Sequence, residues 1–330
     1  MRNAKRTALT TALAAALALT SSCSALGGDK PAAVAGSQLE TSALTVSIIS
    51  SVDLVPLWAA QDAGYFAAEG LNVKIDVADS GAKTMTKVVA GEAQLALTTW
   101  TLLFKAQSEG AADFRLVADA TTATPKSNKI VTIPTSPVKH VEDLPGKKIA
   151  ITSKNAASDV LTQSVMQDRG LDRSKVTWVP VPLPNMAAAL QQGQVDAAYM
   201  PEPFVTDAAH AVGAIPIVDV GGTGSTQDFP LTGYATTAKW AQANPKTIAA
   251  FQRAIAKGTR DALNDRGLVE RLVVKYAKVT ETTAALMELP GYGAKLDARR
   301  LQRVPDTLLQ LGIISSAVDA SRMIVPQPTS

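Results

Sequence analysis

Side chains able to do covalent or acid–base chemistry are sparse in this chain of 330 residues, which has one cysteine, Cys23, and two histidines, His140 and His210. Neither histidine has a second His, Cys or Glu at the spacing of a metal site, so no metal is expected. Cys23 stands behind an N-terminal apolar run rather than among folded elements, which sets aside thiol catalysis. No Gly-X-Ser-X-Gly elbow for a serine nucleophile occurs. The segment Gly221-Gly222-Thr223-Gly224-Ser225 lacks the Lys and Ser/Thr that follow in a phosphate loop and reads as a flexible loop. Acidic pairs such as Glu142-Asp143 lie in polar contexts that suit a solvated face. Nothing forms a catalytic constellation, and no cofactor is expected. The chemistry left to the remaining polar side chains is recognition of a small solute.

Those side chains must be positioned by the elements around them. The stretch Leu44–Val77 opens with Leu44, Val46, Ile48 and Ile49, an apolar run that suits a strand. A polar loop, Ser50-Ser51-Val52-Asp53, follows. Pro56 and Gly64 then bracket one short helix, because proline fits a first turn and glycine fits the position just past the last. Val73, Ile75 and Val77 form a second strand, so the unit is βαβ, with a right-handed crossover expected. The same alternation continues. Strands are expected at Leu95–Leu97, Phe114–Ala120, Lys129–Ile133, Ile149–Thr152, Val176–Val181, Val195–Tyr199, Ile215–Val218 and Leu231–Thr236. From Lys239 the pattern turns helical, with Pro245–Asn264, Leu268–Tyr276, Thr280–Glu288 and Asp297–Leu311. The segments Val89–Ala96 and Gln191–Ala198 resemble each other as helix end, Gly stop and strand, which fits a duplicated architecture.

Within the opening unit, Pro56-Leu57-Trp58-Ala59-Ala60, Ala63-Gly64-Tyr65-Phe66 and Glu69-Gly70-Leu71-Asn72-Val73 resemble the substrate-binding proteins of ABC importers of the nitrate/sulfonate/taurine type, a branch that includes thiamine-pyrimidine binders. Asp143-Leu144-Pro145-Gly146-Lys147 and Glu202-Pro203-Phe204 are similar to further phrases of that family, and the order of elements continues to about residue 315. The resemblance implies an α/β, two-lobe periplasmic-binding-protein-like fold of type II, each lobe a mostly parallel sheet flanked by helices. It places one lobe at residues 44–128 plus 232–330 and the other at 129–231, with the hinge at the two crossings. It also implies a monomer that passes its solute to an ABC permease and its ATPase.

In such a fold, strand-exit loops and helix N-termini of both lobes hold the ligand. That rule nominates Ser51, Asp53, Ser80, Gly81, Thr99 and Trp100 from the first lobe, and Asn155, Asn185 and Glu202 from the second, with Tyr234 beside the hinge. Other roles stay open. Asp53 also suits a helix cap before Pro56, and Trp100 suits a plug between the lobes as well as a ligand contact. Glu202 and Asp53 facing one cleft would favour an amine, amide or heteroaromatic nitrogen, whereas Lys154 would argue for an anion.

The net charge of +3 is set by the N-terminus. Residues 1–22 carry three bases, Arg2, Lys5 and Arg6, and no acid, so without them the 32 Lys and Arg fall to 29, equal to the 29 Asp and Glu. Nucleic acid is therefore not an expected partner. A basic start and the short apolar run Ala8–Leu19 read as a secretory signal. Cys23 directly after it resembles a bacterial lipobox, although Thr20 rather than Leu19 stands three residues before it. Lipid on Cys23 would hold the protein to the membrane through a tether at 23–43; an ordinary signal with a chance cysteine is the other reading. An enzyme on the same fold, such as a thiamine-pyrimidine synthase or a desulfinase-like protein, is the competing class. It would need a reactive His or Cys in the cleft.

Overall fold

A computed structural model describes residues 38–328. The signal at 1–22, Cys23 and the tether as far as residue 37 lie outside the described residues. Among the described residues, eleven strands form two sheets: β1 (Ala43–Ile48), β2 (Asn72–Val77), β3 (Leu95–Thr99), β4 (Phe114–Thr122), β5 (Asn128–Thr132), β6 (Lys148–Ile151), β7 (Thr177–Pro180), β8 (Ala197–Pro201), β9 (Ile215–Asp219), β10 (Pro230–Thr237) and β11 (Gly291–Tyr292). The first sheet has the order β11-β4-β10-β3-β1-β2 and the second β7-β6-β8-β5-β9. The chain leaves the first sheet after Thr122 and returns to it at Pro230.

The two sheets share one plan. In each, a strand pairs in parallel with its successor on one side, β1 with β2 and β6 with β7. On its other side it pairs in parallel with β3 or β8. Next comes an antiparallel strand, β10 in the first sheet and β5 in the second. The similar segments Val89–Ala96 and Gln191–Ala198 lead into β3 and β8, which hold the same place in the two plans. Gly91 and Gly193 stop the preceding helices in left-handed conformations, with φ of +80° and +65°, which glycine adopts without a Cβ penalty.

Packing follows from the apolar content of these strands. Val46, Ile48, Leu95 and Leu97 of the first sheet are buried with Phe251 and Ile255 of the helix Pro245–Asn264. The Phe251 ring stacks on Phe66 at 5.6 Å and meets Tyr234 edge-on at 5.1 Å. That helix also runs close to the helix Val55–Asp62. A Cβ on Gly258 would stand 2.2 Å from the Pro56 carbonyl oxygen, so only glycine permits the approach. Leu103, Phe104 and Leu116 are buried with Leu301, Val304 and Leu308 of the helix Ala298–Gln310. The same cluster takes in Val160 and Leu161 of the helix Ala157–Asp168, so apolar side chains carried by the two sheets meet there. Burying each such side chain is worth about 1.5–3 kcal/mol.

Three features differ from the sequence expectation. Both sheets are mixed rather than mostly parallel, because β10 and β5 enter antiparallel and β4, β11 and β9 pair antiparallel beyond them. The packed body begins before residue 43. Glu40 accepts from the backbone N–H of Lys246 and Thr247 at 3.1 and 2.9 Å and so caps the helix Pro245–Asn264, while Leu39 packs on the first core. The short strand β11, antiparallel to β4, has no local pattern of its own and forms only because β4 offers it an edge.

Candidate functional site

Both sheets direct the C-terminal ends of their parallel strands toward one cavity of about 80 Å³, enough for several waters or a compact solute. From the first sheet come Ser51, Val52 and Asp53 after β1, Thr99 at the end of β3, and Leu231 and Thr232 of β10. From the second come Asn128 of β5, Thr152 and Ser158 after β6, and Tyr199, Pro201 and Glu202 at the end of β8. Ser127 of the first crossing and Pro290 complete the polar and apolar edges.

The loop after β1 is shaped locally. Ser51 is the cap of a single 3₁₀ turn, Val52–Leu54, its Oγ accepting from the Asp53 backbone N–H at 3.3 Å. Tyr292 donates its hydroxyl to the Val52 carbonyl at 3.2 Å and pins the loop from behind. Asp53 is half-buried and its exposed part faces the cavity. Burial pushes its carboxyl up to about 6, against the opposing hydrogen bonds of the Ser51, Thr121 and Thr232 hydroxyls. Thr121 and Thr232 face each other across β4 and β10, with their Oγ1 atoms 2.6 Å apart.

The opposite wall is a hydrogen-bonded row. Tyr199 donates its hydroxyl to Asn128 Oδ1 at 2.5 Å, and Asn128 Nδ2 donates to Ser127 Oγ at 2.8 Å. Burial raises the Tyr199 phenol, and the Asp53 charge raises it further. Thr152 and Ser158 join their hydroxyls at 2.9 Å. The Glu202 carboxylate is buried and already engaged, Oε2 accepting from the Thr206 backbone N–H and Oε1 from the Thr206 hydroxyl, each at 3.1 Å. Burial raises its pKa, while Thr206 and the Lys129 charge act against the shift. Among the described residues, no Lys, Arg or His lines this cavity.

Of the residues nominated from sequence, Ser51, Asp53, Thr99 and Glu202 meet at this cavity, and the other six lie off its lining. Trp100 is fully buried beneath the end of β3, donating its indole Nε1–H to Asp119 Oδ1 at 3.2 Å. Tyr234 is buried in the first core, its hydroxyl without a partner. Ser80 caps the helix Gly81–Ala90 through the Lys83 backbone N–H, and a Cβ on Gly81 would press on the Thr98 hydroxyl at 3.2 Å. Asn155 turns the chain with φ of +65° and lines a separate surface hollow with Met85 and Leu102. Asn185 is exposed and makes no side-chain cap bond. Sequence reasoning missed Asn128, Thr152, Tyr199 and Thr232. The strand exits were read at β1, β3, β6 and β8, but at β6 the choice fell on Asn155 rather than Thr152, and Asn128 and Thr232 stand near the starts of the antiparallel strands β5 and β10, where an exit rule does not look.

Beside the cavity, Asp159 is buried in the first turn of the helix Ala157–Asp168. Oδ2 accepts from the Asn155 backbone N–H at 2.8 Å, and Oδ1 has no partner. Burial pushes this carboxyl up to about 7, against those backbone bonds and the Lys154 charge.

A family model described as NMT1/THI5 like matches residues 51–266. The fold is that of periplasmic binding proteins. Similar solved structures include the periplasmic aliphatic sulphonate binding protein SsuA from Escherichia coli, at 20% identity and TM-score 0.71, covering 88% of this chain and 94% of that one. The alkanesulfonate-binding protein SsuA from Xanthomonas axonopodis pv. citri, bound to MOPS, has 17% identity and TM-score 0.75 over 87% and 99%. The periplasmic nitrate-binding protein NrtA from Synechocystis PCC 6803 has 14% identity and TM-score 0.75 over 87% of each chain. A search of curated proteins gives no match.

Two outcomes follow from this geometry. Trp100→Ala removes a buried ring from the core and should cost about 3–5 kcal/mol of stability, read as a lowered melting temperature. A variant that melts like the wild type would contradict the buried placement. Asp159→Asn should act with pH. A carboxyl raised to about 7 from 3.8 makes the folded state lose stability as pH climbs between those values, with the full cost present above them. The amide should therefore stabilise by on the order of 4 kcal/mol at pH 8 and by little near pH 4. Denaturant melts at both pH values check this, and an equal effect at the two would refute it.

Proposed function

Because the chain belongs to the NMT1/THI5-like family, we propose that it is the extracytoplasmic solute-binding component of an ABC importer, capturing a small solute between two lobes and presenting it to the permease and its ATPase. The observation that carries this reading is the cavity itself. Loops from both sheets contribute hydroxyl, amide and carboxyl groups to one small space beside the two chain crossings. The sulfonate- and nitrate-binding proteins that share the fold support the same role. The lobes are residues 44–128 plus 232–330 and residues 129–231, and the crossings between them are the hinge. The mature protein is a monomer held to the outer face of the cell membrane by lipid on Cys23. Among the described residues no helix is long and apolar enough to cross a membrane. Stable attachment takes more than one acyl chain.

The enzyme on the same fold is the weaker reading, since neither His140 nor His210 lines the cavity. A panel of amines, amidines, sulfonates and nitrate separates the two. A receptor should be stabilised by at least one of them, by about 2.7 kcal/mol at 100 times its dissociation constant. That compound should be recovered unchanged, and scattering should show compaction as the lobes close. Its conversion to a product, or no stabilisation by any member, would overturn the receptor reading. Replacing Cys23 with Ser should move the protein from the membrane fraction to the soluble one; retention in the membrane would refute the anchor.

A further inference from the structure

The charge of the cavity selects its solute. Of the two carboxylates on the lining, Glu202 has both oxygens committed to Thr206. Asp53 differs. It shares the lining with the hydroxyls of Ser51 and Thr232, and Thr232 is bonded to the Thr121 hydroxyl at 2.6 Å; such groups can solvate a carboxylate but cannot neutralise it. An ionised carboxylate accepts at roughly four lone-pair positions, more than the neighbouring hydroxyls can fill, which leaves room for a donor from the cavity. Among the described residues no Lys, Arg or His shares the lining with Asp53. Lys129 acts on Glu202 from β5, Arg266 acts on Tyr292, and Lys154 acts on Asp159.

Resting on the receptor reading, we propose that the solute is a compact organic cation whose amine or amidinium N–H pairs with Asp53. Removing a carboxylate from water without a counter-ion is costly, and in a closing cleft the counter-ion can arrive with the solute. A sulfonate or nitrate would meet Asp53 with like charge and find no base on the lining to hold it. Val52, Leu183 and Leu231 supply apolar wall for a short carbon body, and the Tyr199–Asn128 row supplies polar contacts opposite Asp53. The class of solute thus differs in sign from those named for the sulfonate- and nitrate-binding structures.

Calorimetric titration of the purified protein with acetamidine, acetamide, methanesulfonate and nitrate tests this. Acetamidinium and acetamide have nearly the same shape and differ in charge. The cation should bind at least tenfold more tightly, a difference of about 1.4 kcal/mol. Asp53→Asn should erase that preference without lowering the melting temperature, because the amide keeps the shape and sheds the buried charge. Tighter binding of methanesulfonate or nitrate than of acetamidinium would overturn the cation while leaving the receptor reading standing. Undiminished acetamidinium binding by the variant would remove Asp53 from the role. Failure of acetamidinium alone to bind would also defeat the proposal, and failure of all four probes would count against both readings.

Discussion

Trp100 lying across β10 at Gly233 is the contact on which the first-sheet wall of the cavity depends. A Cβ at Gly233 would stand 1.8 Å from Trp100 Cζ2 and 2.7 Å from the Ala118 carbonyl oxygen. No side chain other than hydrogen is possible there while the ring stays in place. The indole donates to Asp119, whose other oxygen meets Arg300, and Arg300 also reaches the Thr122 hydroxyl. One buried ring therefore ties the end of β3 to β4, β10 and the helix Ala298–Gln310. Thr99, Thr121 and Thr232 sit on those same strands, so their hydroxyls are placed by a packing constraint that never touches the cavity.

The second wall is built on different physics. Its members are linked by hydrogen bonds between side chains, Tyr199 to Asn128 to Ser127 and Thr152 to Ser158. Buried polar rows of this kind are stabilising only when each member has a partner. Among the described residues, buried atoms without a hydrogen-bond partner include Asp159 Oδ1 beside the site, and the Tyr234 hydroxyl and Gln252 Oε1 away from it. Burial shifts the carboxyls of Asp53, Asp159 and Glu202 in the same direction, toward the neutral form.

The shared plan of the two sheets explains why the site lies where it does. Parallel strands point their carboxyl ends to one side of each sheet, and ligands of open α/β folds collect there. Inserting β5 and β10 antiparallel sends the chain across at that same side twice. The crossings then flank the cavity, and Ser127 of the first crossing becomes part of its edge.

The sequence by itself determined the elements and their order. Ten of the strands are visible as short apolar runs, and Ser80, Gly91 and Gly193 mark helix ends because caps and stops are local interactions. It also brought Ser51, Asp53, Thr99 and Glu202 forward, since each directly follows or ends a strand that could be read locally. Only the tertiary structure decided which of the nominated side chains look inward. Trp100 adjoins Thr99 in sequence, yet its ring turns into the core because Gly233, more than a hundred residues away, leaves a groove for it. Asn128 and Thr232 reach the cavity through strand register with β8 and β4, and register is a long-range property that no local pattern carries. Asp53 reads equally well as a cap or a ligand contact from its neighbours alone. Its place among Ser51, Thr121 and Thr232 comes from pairing across the sheet, and that pairing is what leaves its charge without a cation.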